Sequence, residues 1–380
     1  MAKGRIGLDI GSTAVRAAEL SPGTQPTVVR AAQRPLPAGA VENGEVRDPA
    51  AVSEALRDLW KDGGFSSGQA WLGVGNQRVI VREIALPFLP EKELRSSLSL
   101  QVQEFIPMPV DEAVLDYDPI GEFEQDDRKM LRMLLVAAQR AMVDQVVDAV
   151  RGAGLEPMGL DLTPFALVRA VGTPDISMDL DGTGEEAIID IGAHVTNIVV
   201  HDRGATRFVR ILPSGGRDVT VAIARAIGVD DMVAERLKRG ETPEGGPEPE
   251  AEAQRTEAEP QETEAETGSS PDVAGTPKLQ QVRQVALQRA AAFVDEVRSS
   301  LEFYTAQARE ARIARVLVTG GGSKLDGLLD LMRQRIPVPV DPGRVFQHVP
   351  SELKEPEESL AAAEPFFAVS VGLAIPGRTR

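Results

Sequence analysis

Cysteine is absent from the sequence, which excludes disulfide bonds, thiolate catalysis and zinc sites built on cysteine. The three histidines do not show the spacing of a metal-binding set, so no transition-metal centre is expected. Long apolar runs are also missing, since the longest, residues 366–375, is far shorter than the roughly 20 residues of a membrane-spanning helix. The first residues lack the apolar core of a secretory signal, and we therefore expect a cytoplasmic protein.

A surplus of basic residues is missing as well. The 380 residues include 41 Lys and Arg against 58 Asp and Glu, a net charge of −17, which argues against a nucleic-acid-binding role. Residues 241–277 hold eleven acidic residues and one basic residue. This segment is rich in Glu, Pro and Gly and has no apolar periodicity, so we predict a disordered insertion, with partner docking as the alternative.

The rest of the chain predicts an α/β protein. Short apolar runs alternate with helical patterns, and the overall hydrophobic content of 42% is typical of globular proteins. The pattern changes at residues 86–90, Leu-Pro-Phe-Leu-Pro, and changes back after the glycines at 152 and 154. The sequence thus predicts a first lobe, an inserted α+β subdomain and a second lobe. Their boundaries are 1–85 with 158–180, then 86–157, then 181–380.

A repeat is the most informative feature of the sequence. An apolar strand ending in Asp-Ile-Gly occurs at Asp9–Gly11 and again 181 residues later at Asp190–Gly192. Glycine allows a sharp turn, and the N–H groups freed at such a turn can hold phosphate oxygens. A carboxylate beside phosphate is consistent with Mg²⁺ held through water. Two such turns facing each other would hold the phosphates of a nucleotide.

A third motif follows the apolar strand at residues 316–319. Its residues Gly320, Gly321, Gly322 and Ser323 would let the backbone pass close to a flat ligand such as adenosine. Each of these motifs is weak alone, because short glycine motifs also occur in ordinary turns and linkers. Their order along the chain is much harder to explain by chance.

Together the motifs resemble those of the actin-like ATPase superfamily, which has a two-lobed, duplicated RNase H-like fold. The resemblance implies a first phosphate site, a second phosphate site, an adenosine site, and Mg²⁺ held through water by Asp9 and Asp190. The first phosphate site corresponds to Asp9, Gly11, Ser12 and Thr13. The second corresponds to Asp190, Gly192, Ala193, His194 and Thr196, with His194 expected to face solvent. The adenosine site corresponds to Gly215, Gly216, Glu235, Lys238, Gly320, Gly321, Gly322 and Ser323.

Within that superfamily the sequence looks like the PilM family of type IV pilus assembly. The resemblance rests on Gln-Glu-Phe-Ile-Pro at 103–107, Ile-Leu-Pro-Ser-Gly-Gly at 211–216, and residues 297–304. It implies an SHS2-type inserted subdomain, ATP binding, and binding of the N-terminal cytoplasmic segment of the inner-membrane protein PilN. It also implies a position beside the inner membrane through that partner, and a link to the cytoplasmic pilus motor ATPases.

One departure concerns hydrolysis. Related chaperone ATPases have a Glu-Pro pair whose glutamate positions the attacking water, whereas this chain has Thr163-Pro164. Threonine cannot act as a general base at neutral pH, and Asp161 lies out of register. We therefore expect ATP binding with weak or absent hydrolysis.

Three alternatives remain open. The chain could be an FtsA-like cell-division ATPase, although Pro376 and Gly377 interrupt the region where FtsA has a membrane-binding helix. It could be a nucleotide-free scaffold of a secretion-type membrane complex, which the intact aspartates and glycines disfavour. A metabolic kinase would need a further catalytic aspartate, and the sequence offers no candidate outside the two repeats.

Overall fold

The computed structural model describes residues 4–173, 184–241, 277–307 and 312–377. The chain divides into two units. The first contains the described residues of Met1–Asp218 and Ala291–Arg380, and the second those of Val219–Ala290. The predicted insertion at 241–277 lies outside the described residues, apart from its first and last positions.

The described residues form both strands and helices. The strands are β1 (Arg5–Ile10), β2 (Ala14–Leu20), β3 (Val28–Pro35), β4 (Val41–Glu42), β5 (Glu45–Val46), β6 (Gln69–Val74), β7 (Val79–Pro87), β8 (Ala113–Gln125), β9 (Arg128–Gln139), β10 (Glu156–Leu162), β11 (Glu185–Ile191), β12 (Thr196–Asp202), β13 (Ala205–Leu212), β14 (Ile313–Thr319) and β15 (Val340–Pro342). The helices are α1 (Pro49–Gly63), α2 (Glu91–Gln101), α3 (Arg140–Gly152), α4 (Thr163–Val171), α5 (Gly216–Ile227), α6 (Asp231–Lys238), α7 (Pro277–Gln307), α8 (Leu328–Arg335), α9 (Val345–His348) and α10 (Glu357–Ala374).

Two five-stranded sheets in the first unit have the same topology. The first has the order β10-β6-β1-β2-β3 and the second β13-β12-β11-β14-β15. In each sheet an antiparallel hairpin follows the central strand, and a parallel strand lies on its other side. The sequence repeat therefore corresponds to a repeat of the sheet, with Asp9 and Asp190 at equivalent ends of β1 and β11.

Helices α4 and α10 pack in a core shared with both sheets. Leu167 of α4 and Phe367 of α10 are buried in the same cluster as Leu20 of β2 and Ile188 of β11. Glycine at position 372 permits the two helices to touch, because a Cβ there would lie 1.9 Å from the carbonyl oxygen of Ala166. This core ties the repeated sheets together beside the strand ends that carry the aspartates.

The other face of the first sheet is covered by α1 and α3. Helix α1 begins where the side chain of Asp48 accepts a hydrogen bond from the N–H of Ala51 at 3.0 Å, and Gly64 ends it in a left-handed conformation. Its apolar face, with Val52 and Leu56, is fully buried. Burial of each such side chain contributes roughly 1.5–3 kcal/mol.

A third sheet, β7-β9-β8, is antiparallel throughout and forms its own core with α2. Strand β7 pairs with β9 from Val79 onward. A boundary at residue 86, as the sequence analysis predicts, would therefore cut through a strand of the inserted sheet. The sequence of residues 78–85 predicts a strand, but it does not indicate which sheet the strand joins.

The second unit contains the end of α5, helix α6 and the first part of α7. Helix α6 is capped by Asp230, whose side chain accepts a hydrogen bond from the N–H of Val233 at 2.8 Å. Ala234 is fully buried in this unit.

Candidate functional site

The first acidic turn, residues 9–13, joins β1 to β2. The N–H of Gly11 donates to the carbonyl oxygen of Ala14 at 3.1 Å and closes the turn. Asp9 lies opposite Arg16 in the register of the two strands, with 3.7 Å between Arg16 Nη1 and Asp9 Oδ2. The side chain of Arg16 is 13% exposed and that of Asp9 is 19% exposed, so this ion pair is largely shielded from water.

The second acidic turn, residues 190–196, joins β11 to β12 in the same way. The N–H of Gly192 donates to the carbonyl oxygen of Val195 at 2.9 Å. The hydroxyl of the fully buried Thr196 donates to the carbonyl oxygen of Ser214 at 2.7 Å. Asn197 lies opposite Asp190, and its Nδ2 donates to Asp190 Oδ2 at 3.4 Å. The partner of this aspartate is thus a neutral amide.

Gly215 and Gly216 pack against the second acidic turn. The N–H of Gly216 donates to the carbonyl oxygen of Gly192 at 2.9 Å. A Cβ at Gly215 would lie 2.5 Å from the same oxygen and 2.7 Å from that of Ala193, which requires glycine at this position. These residues hold the turn in place.

The glycine run, residues 320–323, begins beside Asp190, which is paired with Thr319 across β11 and β14. Gly320 has a φ of +83°, and a Cβ there would lie 2.6 Å from Asp190 Oδ1. The hydroxyl of Ser323 donates to the carbonyl oxygen of Gly320 at 2.7 Å. The second and third sequence motifs are therefore in direct contact.

The two aspartates are electrostatically coupled. Burial, with the negative charge of Asp9 as the second cause, raises the pKa of Asp190 to about 7. Burial also raises the pKa of Asp9, and the positive charge of Arg16 opposes that rise. The charge of Asp9 therefore acts on the ionisation of the buried Asp190 within the first unit.

Glu235 and Lys238 belong to the second unit. Lys238 Nζ donates to Glu235 Oε2 at 2.5 Å and to the hydroxyl oxygen of Thr220 at 2.9 Å. Burial raises the pKa of Glu235, but the hydrogen bonds from Lys238 and Thr220 outweigh it and lower the pKa. Within this unit they form a connected polar cluster on α5 and α6.

His194 is only partly exposed to solvent, and its ring also makes a contact within the protein. Its ring is partly buried, and Nδ1 accepts a hydrogen bond from the N–H of Asn43 at 3.1 Å. Because Nδ1 accepts, the neutral ring carries its proton on Nε2. Burial lowers the pKa of His194 and favours this neutral form.

Sequence reasoning missed Arg16 and Asn197, which face the aspartates. Each lies seven residues after its aspartate, and the register of the hairpin places it directly opposite that aspartate. This spacing within the repeat is the signal that could have identified them. It also missed the contact at Gly75, where a Cβ would lie 2.9 Å from Asn197 Oδ1 and 3.0 Å from Thr163 Oγ1. Glycine at that position lets the two side chains approach the end of β6.

The repeated sheets and their connections define the class of actin-like proteins. Residues 7–246 match the family model described as type IV pilus assembly protein PilM, and the chain belongs to that family. Residues 187–372 also match the model of the cell division protein FtsA. None of the helices in the described ranges combines the length and apolar character needed to cross a bilayer.

Among curated relatives, the cell division protein FtsA of Pseudomonas aeruginosa is 26% identical over 400 residues, covering 98% of this chain and 88% of the relative. FtsA of Bacillus subtilis is 24% identical over 226 residues, which cover 54% of this chain and 50% of the relative. The chain thus matches about half the length of the Bacillus protein.

Two solved structures show the likeness in three dimensions. A structure described as the PilM-PilN type IV pilus biogenesis complex has a TM-score of 0.78 at 28% identity and covers 97% of each chain. MreB 5 of Spiroplasma citri bound to AMPPNP has a TM-score of 0.52 at 12% identity, covering 98% of this chain and 95% of that one. The second likeness shows the fold alone.

Proposed function

We propose that this chain binds Mg²⁺-ATP at the two acidic turns, with the glycine run beside the adenosine. The observation that carries the proposal is that the carboxylate of Asp9 lies close enough to the buried carboxylate of Asp190 to raise the cost of ionising Asp190. A divalent cation at this location would relieve that repulsion, and turn N–H groups are suited to phosphate oxygens. Nucleotide binding between two lobes would then favour a closed conformation through differential contacts.

The residues present fit a hydrated magnesium ion. Among the described residues there is no group of three or more Asp, Glu, His or Cys side chains that could hold a metal, so two carboxylates would share the ion with water and phosphate. Asn197 Oδ1 is buried, and no described residue donates a hydrogen bond to it. A water molecule of the hydration shell could satisfy this acceptor. When bound, Mg²⁺ would supply positive charge that neutralises the phosphates.

We include weak or absent hydrolysis in the proposal. Asp161, the nearest acidic side chain to Thr163 in sequence, accepts a hydrogen bond from Arg169 Nη2 at 2.5 Å and another from the N–H of Leu162 at 2.7 Å. A carboxylate whose two oxygens already accept these hydrogen bonds is not free to take a proton from an attacking water. Thr163 itself is 7% exposed and carries no basic group.

The partner in this proposal is the N-terminal cytoplasmic segment of a PilN-like inner-membrane protein. The support is membership of the PilM family and the likeness to a chain from a PilM-PilN complex. Binding would place the chain at the cytoplasmic side of the inner membrane and connect it to the cytoplasmic pilus motor ATPases. Nucleotide would act as a conformational ligand that changes the affinity for this segment.

Calorimetry with Mg²⁺-ATP tests the site. Asp9→Ala and Asp190→Ala should each weaken binding at least tenfold. The matched control is Asp58→Ala, which removes an exposed carboxylate that pairs with Arg34. Unchanged affinity in both site variants would show that the carboxylates do not hold the magnesium ion.

A second titration tests the partner. The N-terminal peptide of the PilN-like protein should bind the full chain, with affinities that differ between Mg²⁺-ATP and nucleotide-free conditions. Equal affinities would remove the coupling, and no binding in either condition would remove the partner. The match of residues 187–372 to FtsA favours one other function, that of a division-type filament. Sedimentation with Mg²⁺-ATP and lipid vesicles would detect it.

A further inference from the structure

The β4–β5 hairpin packs on the core of the first sheet and contacts the second acidic turn. Its two central residues, Asn43 and Gly44, both have positive φ angles, 53° and 74°, which form a tight two-residue turn. Val41 and Val46 at its base are each 1% exposed and anchor it in the core under the first sheet. The buried base therefore fixes the hairpin in place, and the polar backbone groups of its tip remain available for contacts.

One backbone group of the tip contacts the second acidic turn. The N–H of Asn43 donates to Nδ1 of His194 at 3.1 Å. His194 lies two residues after Gly192 and one residue after Ala193, so its ring belongs to the turn proposed to hold phosphate. Any change in the path of residues 192–195 changes the position of this acceptor.

The adjacent residues of the tip contact the beginning of the inserted sheet. Asn76, which is 1% exposed, donates from Nδ2 to the carbonyl oxygen of Gly44 at 2.7 Å. Its own Oδ1 accepts the N–H of Arg78 at 2.9 Å, and Arg78 Nε donates to Glu45 Oε1 at 3.0 Å. A side chain at Gly44 would place its Cβ 2.8 Å from that of Asn76, so glycine is required for this close contact.

We infer that the β4–β5 hairpin is a mechanical link between the second acidic turn and the base of the inserted subdomain, with His194 as its contact on the nucleotide side. The link runs from His194 through Asn43 and Gly44 to Asn76 and Arg78. It rests on the proposed function in one respect, since nucleotide phosphate is the ligand expected to move the turn. A ligand acts through such a link when it favours one position of the hairpin over another.

The far end of the link reaches a cavity lined by the beginning of β7 and by β13. Strand β7 begins at Val79, directly after Arg78, and Val79 to Val81 line a cavity of about 290 Å³. Val209 to Ile211 of β13 line its other side. Strands β7 and β13 are each at the edge of their sheets. Displacement of the base of β7 would therefore change the width of the cavity.

Amide hydrogen exchange on the full, nucleotide-free chain tests the link. His194→Leu removes the acceptor while keeping a branched side chain, and His194→Asn places an amide oxygen where Nδ1 lies. In the leucine variant, exchange should rise about three- to tenfold at residues 43–46 and also at Arg78 and Val79, as the loss of one hydrogen bond predicts. The asparagine variant should exchange like the wild type in both segments.

A second variant, at Asn76, tests the link from its other end. Asn76→Asp keeps the acceptor for the N–H of Arg78 but loses the donor to Gly44, and exchange at residues 193–195 should then increase, because coupling is reciprocal. Faster exchange confined to the hairpin in the leucine variant, or no change in either segment, would overturn the link. The same would follow if the leucine and asparagine variants behaved alike.

These outcomes are independent of the proposed function. The exchange measurement requires neither nucleotide nor partner, so it reports on the link directly. Failure of the wild-type chain to bind Mg²⁺-ATP in calorimetry would refute the proposed function and would leave the exchange result standing. Failure of the exchange pattern would refute the link and would leave nucleotide binding standing.

Discussion

Asn197 lies directly opposite Asp190 and donates to its carboxylate at 3.4 Å, whereas in the other sheet repeat Arg16 holds the equivalent position opposite Asp9. A repeated strand-turn-strand unit thus gives one buried aspartate a cationic partner and the other a neutral one. The result is an asymmetric pair, in which the pKa of Asp190 is raised to about 7.

The stability of the nucleotide-free chain should fall as pH rises from about 4 to about 7. In that window the folded state keeps a proton on Asp190, whose ordinary pKa is 3.8, while the unfolded state does not. The effect is on the order of 4 kcal/mol. Asp190→Asn should remove this slope and make the chain more stable than wild type at pH 8. Thermal melts from pH 5 to 8 at fixed salt measure it, and parallel curves for the two proteins would contradict it.

Arg16→Gln should destabilise the chain more at pH 8 than at pH 5. Without Arg16 the carboxylate of Asp9 is shielded from water and unpaired, at a cost of about 2–4 kcal/mol. Protonation of Asp9 at lower pH reduces that cost. The matched control is Arg34→Gln, whose partner Asp58 is 41% exposed, and which should change stability by less than about 0.5 kcal/mol. Urea unfolding at both pH values gives the comparison, and equal losses for the two arginine variants would exclude this role.

Gly320→Ala should destabilise the chain strongly, by about 3–5 kcal/mol, because left-handed strain adds to overlap with buried atoms. Its Cβ would lie 2.5 Å from the carbonyl oxygen of Ile191. Gly154→Ala separates the two effects, since Gly154 has a similar φ of +80° and no atom within 4 Å of a Cβ. This control should lose about 1–2 kcal/mol. Denaturant midpoints would refute the explanation if both variants lost the same amount.

Glu186→Leu should cost about 3–5 kcal/mol, because it leaves the buried His201 and the partly buried Arg315 without their partner. Glu186 and His201 have fully buried side chains 3.0 Å apart at their nearest polar atoms, and Arg315 also pairs with Glu186. Burial raises the pKa of Glu186, but the hydrogen bond to His201 and further partners outweigh it and lower the pKa. The stabilisation is therefore present above the ordinary pKa of 4.5 and is lost as pH falls below it.

Acid unfolding measures this loss of the stabilisation by Glu186. Below pH 4.5 the wild type should lose stability more steeply than Glu186→Leu. The variant has no carboxylate at this position that could be protonated. The double variant Glu186→Leu with His201→Phe should recover part of the loss, since it replaces the buried polar pair by apolar groups. A double variant less stable than the single one would argue against stranded polar groups as the cause.

The fold class and the family could be predicted from local sequence, and both are confirmed. The reason is that the diagnostic features are short and local: an apolar strand, an aspartate at its end, and a glycine that permits the turn. The alternation of short apolar runs with helical patterns likewise predicts an α/β protein, because such patterns depend on neighbouring residues.

The limits of local pattern are visible at β7. Its apolar and β-branched residues are typical of a strand, yet membership of the inserted sheet depends on pairing with β9, some fifty residues further along the chain. The roles predicted for the site residues remain predictions. Their positions explain why Arg16 and Asn197 escaped notice, since only strand register brings them opposite the aspartates.

Residue order along the chain thus specified the repeated acidic turns, the glycine run and the class of fold, because each is written in a few consecutive residues. Folding in three dimensions set the ionisation of Asp190 and the partner of His194. Charge interaction and burial depend on distances between atoms from remote segments, and these distances exist only once the sheets have packed around α4 and α10.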